Sequence, residues 1–238
     1  MMKKILFHRF KTIKAMMVIV AAALPVVSVK YGDAVAAGIN VSREISDLKN
    51  TDVRRKLESL GRLRREAAGD KKAGLAVAEE TKKEKNPHIR ARLAEALGDF
   101  KQKETVDAAV EILQKDDSPQ VRYVAAYALG YSGDPSAAPA LIKTFTDENE
   151  TPGVRYQAAH ALAVGGRSAG WPTEEIIEVF LKALEAPDAG IRRQAITSLT
   201  ILAPDDKRTP DAVKKMMSDK DENVRKVASM RAEVLGIK

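Results

Sequence analysis

An aliphatic residue followed by Arg recurs six times along the chain, and the spacing of these pairs constrains the fold more than any other feature. The pairs are Val53-Arg54, Ile89-Arg90, Val121-Arg122, Val154-Arg155, Ile191-Arg192 and Val224-Arg225, separated by 36, 32, 33, 37 and 33 residues. A period of 30 to 40 residues is the signature of a stacked array in which each unit buries its apolar face against the next. The third copy places Val121, Ala125, Ala128 and Leu129 at i, i+4, i+7 and i+8, one apolar stripe of a helix. The second repeats it as Ile89, Leu93, Ala96 and Leu97, the fourth as Val154, Ala158, Ala161 and Leu162.

Helix boundaries are marked by a capping residue followed by proline, which suits a first turn where its missing N–H would be unpaired. Asn86-Pro87, Ser118-Pro119, Asp134-Pro135, Thr151-Pro152 and Thr209-Pro210 have this form, and Gly61, Gly98, Gly130 and Gly236 stand where helices would end in a left-handed residue. A second amphipathic segment lies between motif helices, at roughly 70–84, 104–115, 136–146, 173–185 and 210–218, so each unit is read as a helical hairpin. With 45% apolar but only 5% aromatic residues, the interior must be built of Ala, Leu, Val and Ile. The expectation is a right-handed or gently curved array without strands, its motif helices forming the inner layer.

The run V-R-x-x-A-A-x-A-L-G followed by G-D-x-x-A-x-P-x-L, clearest over residues 121–142, resembles the HEAT-like repeats of phycobilin lyases. The resemblance spans about 50–236 and weakens at both ends, where Gly61 comes one place early and Met230 to Leu235 replace the usual small residues. It implies an all-α solenoid, or superhelix, of about six HEAT-type hairpins over residues 50–238, preceded by a lead-in helix at 37–49. The outer faces of end units meet water, and degenerate sequence is expected there.

Residues 1–36 have the parts of a cleavable signal peptide in order: Lys3, Lys4, Arg9, Lys11 and Lys14, then an apolar run from Ala15 to Val29, then Ala34-Val35-Ala36. The run is shorter than the roughly 20 residues of a spanning helix, so no stable membrane span is expected after cleavage. Without this segment the net charge falls from +7 to +2, because six basic residues and one acidic residue go with it. Charge then argues against a nucleic-acid partner. Export to the periplasm or outside the cell is the expectation. The chain has no Cys, so disulfides and thiolate chemistry are excluded.

No catalytic residue, metal site or cofactor is assigned. Gly166-Arg167-Ser168-Ala169-Gly170 matches G-x-S-x-G, but that motif requires a strand-to-helix turn and no strand is expected. The HEAT-repeat hydroxylase that modifies a lysine-derived residue uses paired His-Glu motifs for iron, and this chain has no His-Glu pair. Bilin-lyase-like or other small-molecule-modifying activity stays as the alternative implied by the resemblance.

The reading therefore favours a non-catalytic scaffold for a protein or peptide partner. The six repeat arginines, Arg54, Arg90, Arg122, Arg155, Arg192 and Arg225, are read as structural bonds to carbonyls or carboxylates of inter-repeat loops, with Asp117, Asp188 and Asp221 at useful distances. The run Glu79 to Lys85 is read as a solvated helix end. Residues that vary between units are the binding candidates: Tyr123, Tyr127 and Tyr131 in the third, Tyr156, Gln157 and His160 in the fourth, Arg193 and Gln194 in the fifth. Tyrosine is common at binding hot spots, although rings at these positions could also pack between repeats. Residues 104–190 hold 14 acidic and 6 basic residues, an acidic middle that would surround the tyrosines and orient a basic partner.

Overall fold

A computed structural model describes residues 38–237; the signal-peptide assignment lies outside them. Among these residues there is no strand, and twelve α-helices pair into six hairpins. The outer helices are α1 (Val41–Leu48), α3 (Lys71–Lys83), α5 (Lys103–Lys115), α7 (Ala138–Thr146), α9 (Thr173–Ala183) and α11 (Arg208–Met216). The motif helices are α2 (Val53–Glu66), α4 (Pro87–Phe100), α6 (Pro119–Ser132), α8 (Pro152–Gly165), α10 (Ala189–Leu202) and α12 (Glu222–Leu235). Helix α1 packs on α2 as the outer half of the first hairpin, so the segment read as a lead-in belongs to the array. No helix among the described residues is long and apolar enough to cross a membrane.

The motif helices pack directly on one another along the array, whereas successive outer helices meet sparsely. Small residues make the close layer possible. A Cβ on Gly98 would lie 2.6 Å from the Ala128 carbonyl oxygen, and one on Gly130 would lie 2.7 Å from the Ala161 Cβ. These glycines lie inside α4 and α6, not at helix ends as the sequence suggested. Gly61 likewise falls inside α2, and the left-handed caps are Lys101, Gly133 and Gly236, with φ of 52°, 73° and 66°. The layer whose neighbours approach most closely is the shorter one, so an array of this kind curves toward it.

Gly98→Ala is accordingly expected to destabilise the array by up to about 2 kcal/mol, because overpacking α4 against α6, about 1–3 kcal/mol, outweighs the roughly 1 kcal/mol of helix propensity gained. Gly153→Ala, in open space in the first turn of α8, should be neutral or stabilising. Urea unfolding of both variants checks this. A Gly98→Ala chain as stable as the parent would mean that the inner layer tolerates a wider spacing.

Sequence-read caps at Asn86, Ser118, Asp134 and Thr151 stand at N-cap positions as expected. Thr209-Pro210 does not: α11 begins at Arg208, whose N–H donates to Asp206 Oδ1 (2.8 Å). Proline fits inside that first turn because its N–H is not needed there. The Gly166 to Gly170 segment is the loop after α8, which leads into Trp171. The indole of Trp171 is buried beside Gly165 and donates to the Gly133 carbonyl at 3.0 Å, and this loop takes up the longer fourth spacing.

A cation ladder crosses the junctions between hairpins. Arg90 Nη1 donates to the carbonyls of Glu84 and Lys85, and its Nε and Nη2 hold Asp116 at 2.6 and 2.9 Å. Arg122 does the same with the carbonyls of Asp116 and Asp117 and the carboxylate of Glu150, at 2.7 Å on both oxygens. Arg192 bonds the carbonyls of Ala186 and Pro187 and the carboxylate of Asp219, all at 2.8 Å. Arg225 of the last hairpin bonds the carbonyls of Asp219 and Lys220. The carboxylate thus comes from the loop one hairpin further on, and Asp188 and Asp221, considered from the sequence, cap α10 and α12 instead.

The first unit departs from the pattern. Among the described residues Arg54 pairs only with exposed Glu58, and Lys56, buried two residues later, reaches Glu80 and Glu84 at 2.7 Å each. The run from Glu79 to Lys85 is therefore not wholly solvated. Burial would raise the Glu84 pKa, but the Lys56 ammonium holds it below the ordinary value.

Candidate partner-binding surface

A motif helix inside this array is covered on three sides, by its own outer helix and by the motif helices before and after it, whereas α2 and α12 at the ends have one such neighbour each. Only a stripe of one residue in four is left facing out. On α6 the stripe is Tyr123, Tyr127 and Tyr131, which are 40%, 47% and 56% exposed. On α8 it is Tyr156, half-exposed, His160, partly buried, and Val164, exposed. On α10 it is Arg193, Thr197 and Ile201, and on α12 Lys226, Met230 and Val234.

The three-sided burial corrects two sequence assignments. Gln157 and Gln194, one place beyond Tyr156 and Arg193, are buried in the packed layer. Gln194 spends its amide on Ser198 Oγ at 3.0 Å. Sequence reasoning treated the helix as having one covered face, which left too many positions open. It also missed Val164, Met230 and Val234, which continue the exposed stripe and are detectable as large apolar residues at the same register.

The tyrosine rings form a partly preorganised surface. Tyr127 and Tyr131 stack with centroids 6.3 Å apart and planes 9° from parallel, and Lys101 Nζ lies 5.7 Å from the Tyr131 centroid. Both contacts restrict the rings in the free protein, so less motion is lost on docking. At the other side of the surface, Tyr156 lines a cleft of about 100 Å³ with Phe145, Arg155, Asp188, Ile191 and Arg193.

The acidic middle does not surround these rings. Its carboxylates are on the outer helices, Glu104, Asp107 and Glu111 on α5 and Glu174, Glu175 and Glu178 on α9, or in loops, and α6 and α8 carry none. The charges found next to the tyrosines are Lys101 at Tyr131 and, in the cleft beside Tyr156, Arg155, Arg193 and Asp188, whose Oδ1 is engaged by the Ile191 N–H. The helices that carry the rings thus supply no carboxylate of their own to orient a basic partner, and Asp188 is the acidic residue lining the Tyr156 cleft.

The HEAT-repeat family model matches residues 75–163 and 148–232. No curated protein sequence is similar enough to count as a relative. Among solved structures, the complex of CpcE and CpcF of phycocyanin lyase from Nostoc sp. is similar at 21% identity, with 87% of this chain and 81% of that chain covered and a TM-score of 0.54. Escherichia coli YibA is similar at 21% identity, covering 82% and 70%, with a TM-score of 0.53. A designed armadillo repeat protein in complex with the peptide (KR)4 is similar at 16% identity, covering 83% and 100%, with a TM-score of 0.51. At these identities the likenesses are of fold. The family match extends over more than half of the sequence, and the chain belongs to the HEAT-repeat family.

Proposed function

We propose that the array is a non-catalytic scaffold that holds a protein or peptide partner against its inner layer, across the third and fourth hairpins. The observation that carries this reading is the gathering of four of the five tyrosines, half-exposed, on the adjacent helices α6 and α8. Tyr123, Tyr127, Tyr131 and Tyr156 are the anchors, with His160 between them and Arg193 at the edge. Aromatic anchors with a polar tip are the residues that dominate binding energy at protein interfaces. A designed array of similar fold holds a peptide, which supports the class of partner and not its sequence. The scaffold acts in the periplasm or outside the cell, after cleavage behind Ala36; N-terminal sequencing of the exported protein tests that location.

Site-specific photocrosslinking tests the surface. Benzoylphenylalanine at position 127 should give a discrete adduct in the exported fraction, and the same group at exposed Lys143 on outer helix α7 should not. Adducts from position 143 alone would place the partner on the opposite layer. The bilin-lyase alternative draws on the likeness to the CpcE and CpcF complex, and turnover of a bilin by the pure protein would favour it.

A further inference from the structure

Five junctions connect the six hairpins, and four of them are closed by the same device. A cation from one motif helix meets a carboxylate placed one or two residues before the N-cap of the next: Lys56 with Glu84, Arg90 with Asp116, Arg122 with Glu150, Arg192 with Asp219. The carboxylate also accepts the main-chain N–H of the N-cap residue, from Asn86 (2.9 Å), Ser118 (2.9 Å), Thr151 (2.6 Å) and Asp221 (2.8 Å). Each closed junction thus presents a fixed cation and a fixed N–H to one carboxylate.

The junction between the fourth and fifth hairpins keeps the arginine and the N-cap N–H and lacks the carboxylate. Two residues before the N-cap Asp188 stands Ala186. Arg155 donates Nε to the Phe145 carbonyl at 3.1 Å, and among the described residues it has no carboxylate partner and its two Nη groups have no acceptor. The Asp188 N–H has no acceptor among them either. Instead of a closed junction there is open space: one cleft is lined by Arg155, Ala186 and Pro187, and another by Arg155, Tyr156 and Arg193. Other charges line these clefts. Asp188 Oδ1 is engaged by the Ile191 N–H, Glu185 is paired with Lys215, and Glu148 and Lys182 are exposed at the rim.

We propose that this junction is a carboxylate-binding site, in which a partner's carboxylate takes the place that Asp116, Glu150 and Asp219 occupy elsewhere in the array. Arg155 supplies its two free Nη groups, its Nε being held by the Phe145 carbonyl, the Asp188 N–H supplies a further donor, and Arg193 adds positive charge at the mouth. The chain itself shows three times which ligand an arginine at this register accepts. The site adjoins Tyr156, so it extends the docking surface by one contact of defined chemistry. It rests on the docking reading only for its biological partner. A small carboxylate probe tests it without the tyrosines, and its failure would leave the aromatic surface unaffected.

The experiment follows the Arg155 Nε–Hε resonance of the full chain at low ionic strength while N-acetylglutamate α-amide, N-acetylglycine or N-acetylglutamine α-amide is added. Saturable shifts with a carboxylate are expected, and none with the glutamine amide. Binding of the glutamate derivative would identify an acidic side chain as the ligand, and binding of N-acetylglycine a chain terminus. Ala186→Asp should supply the missing acceptor, raise the unfolding temperature and weaken the probe at least about tenfold. Arg155→Gln, which adds no bulk, should weaken it similarly when read on the Arg193 Nε–Hε resonance and so serves if Ala186→Asp folds poorly. No saturable shift with either carboxylate, or undiminished binding in a folded Ala186→Asp or Arg155→Gln chain, would overturn the assignment.

Discussion

Replacing Asp219 by Ala should destabilise the last hairpin by about 3–5 kcal/mol, the cost of leaving a buried charge without its partner. The side chains of Arg192 and Asp219 are 5% and 6% exposed, and Arg192 would keep only the carbonyls of Ala186 and Pro187. Asp219 also accepts the Asp221 N–H, so the entry to α12 loses a bond as well. In a quasi-one-dimensional array each hairpin is stabilised by its neighbours, and the loss should fall on α11 and α12 more than on the centre. Hydrogen exchange reads this directly: α12 amides should exchange roughly 10²-fold to several times 10³-fold faster, while those of α6 change little. Uniform acceleration through the array would show that it unfolds as a single unit.

The same pairs make the array sensitive to acid. The Arg192 hydrogen bond holds the Asp219 carboxyl below its ordinary 3.8. Burial would raise Asp116 and Glu150, but the hydrogen bonds from Arg90 and Arg122 win and both are lowered. A carboxylate with a lowered folded pKa contributes stability that is fully present above its unfolded value and is lost as the pH falls through the folded one. The window therefore opens below about pH 4.5 for Glu150 and below about 3.8 for the two aspartates. The Asp219→Ala chain should lose less stability across it than the parent.

The array was legible in the sequence because its period is carried by residues with one role each. Val121, Ala125 and Leu129 repeat as an apolar stripe, and Asn86 before Pro87 fits the start of a helix. Glycine was not legible in this way. Gly98 and Gly236 both come near the end of a helical pattern, yet one admits a neighbouring helix and the other takes a left-handed turn. Sequence periodicity describes a helix against one neighbour, and this placed Gln157 and Gln194 on the surface when three neighbours bury them.

The ladder was half legible. The arginines recur visibly, but their carboxylates lie 26 to 28 residues further on, and Asp117, Asp188 and Asp221 drew attention by being nearer. Once the register is set by Asp116 and Asp219, the substitution of Ala186 at the fourth junction can be read from the sequence alone. The tyrosine register was legible, since Tyr123, Tyr127, Tyr131 and Tyr156 are exposed on neighbouring helices. Their electrostatic setting was not, because the acidic residues of the same segment face outward on α5 and α9.

The central claim is that these rings hold the partner, and the most direct measurement is the affinity of a Tyr127→Ala, Tyr156→Ala double variant for the partner captured at position 127. Neither ring is in the core, so the variant's unfolding temperature should stay close to the parent's, which is checked first. Truncation of a central aromatic anchor costs about 2 kcal/mol or more, roughly a thirtyfold loss for each ring. The double variant should bind several hundredfold more weakly, or less if the two rings share one pocket on the partner. Unchanged affinity in a folded double variant would contradict the account and move the binding face off α6 and α8.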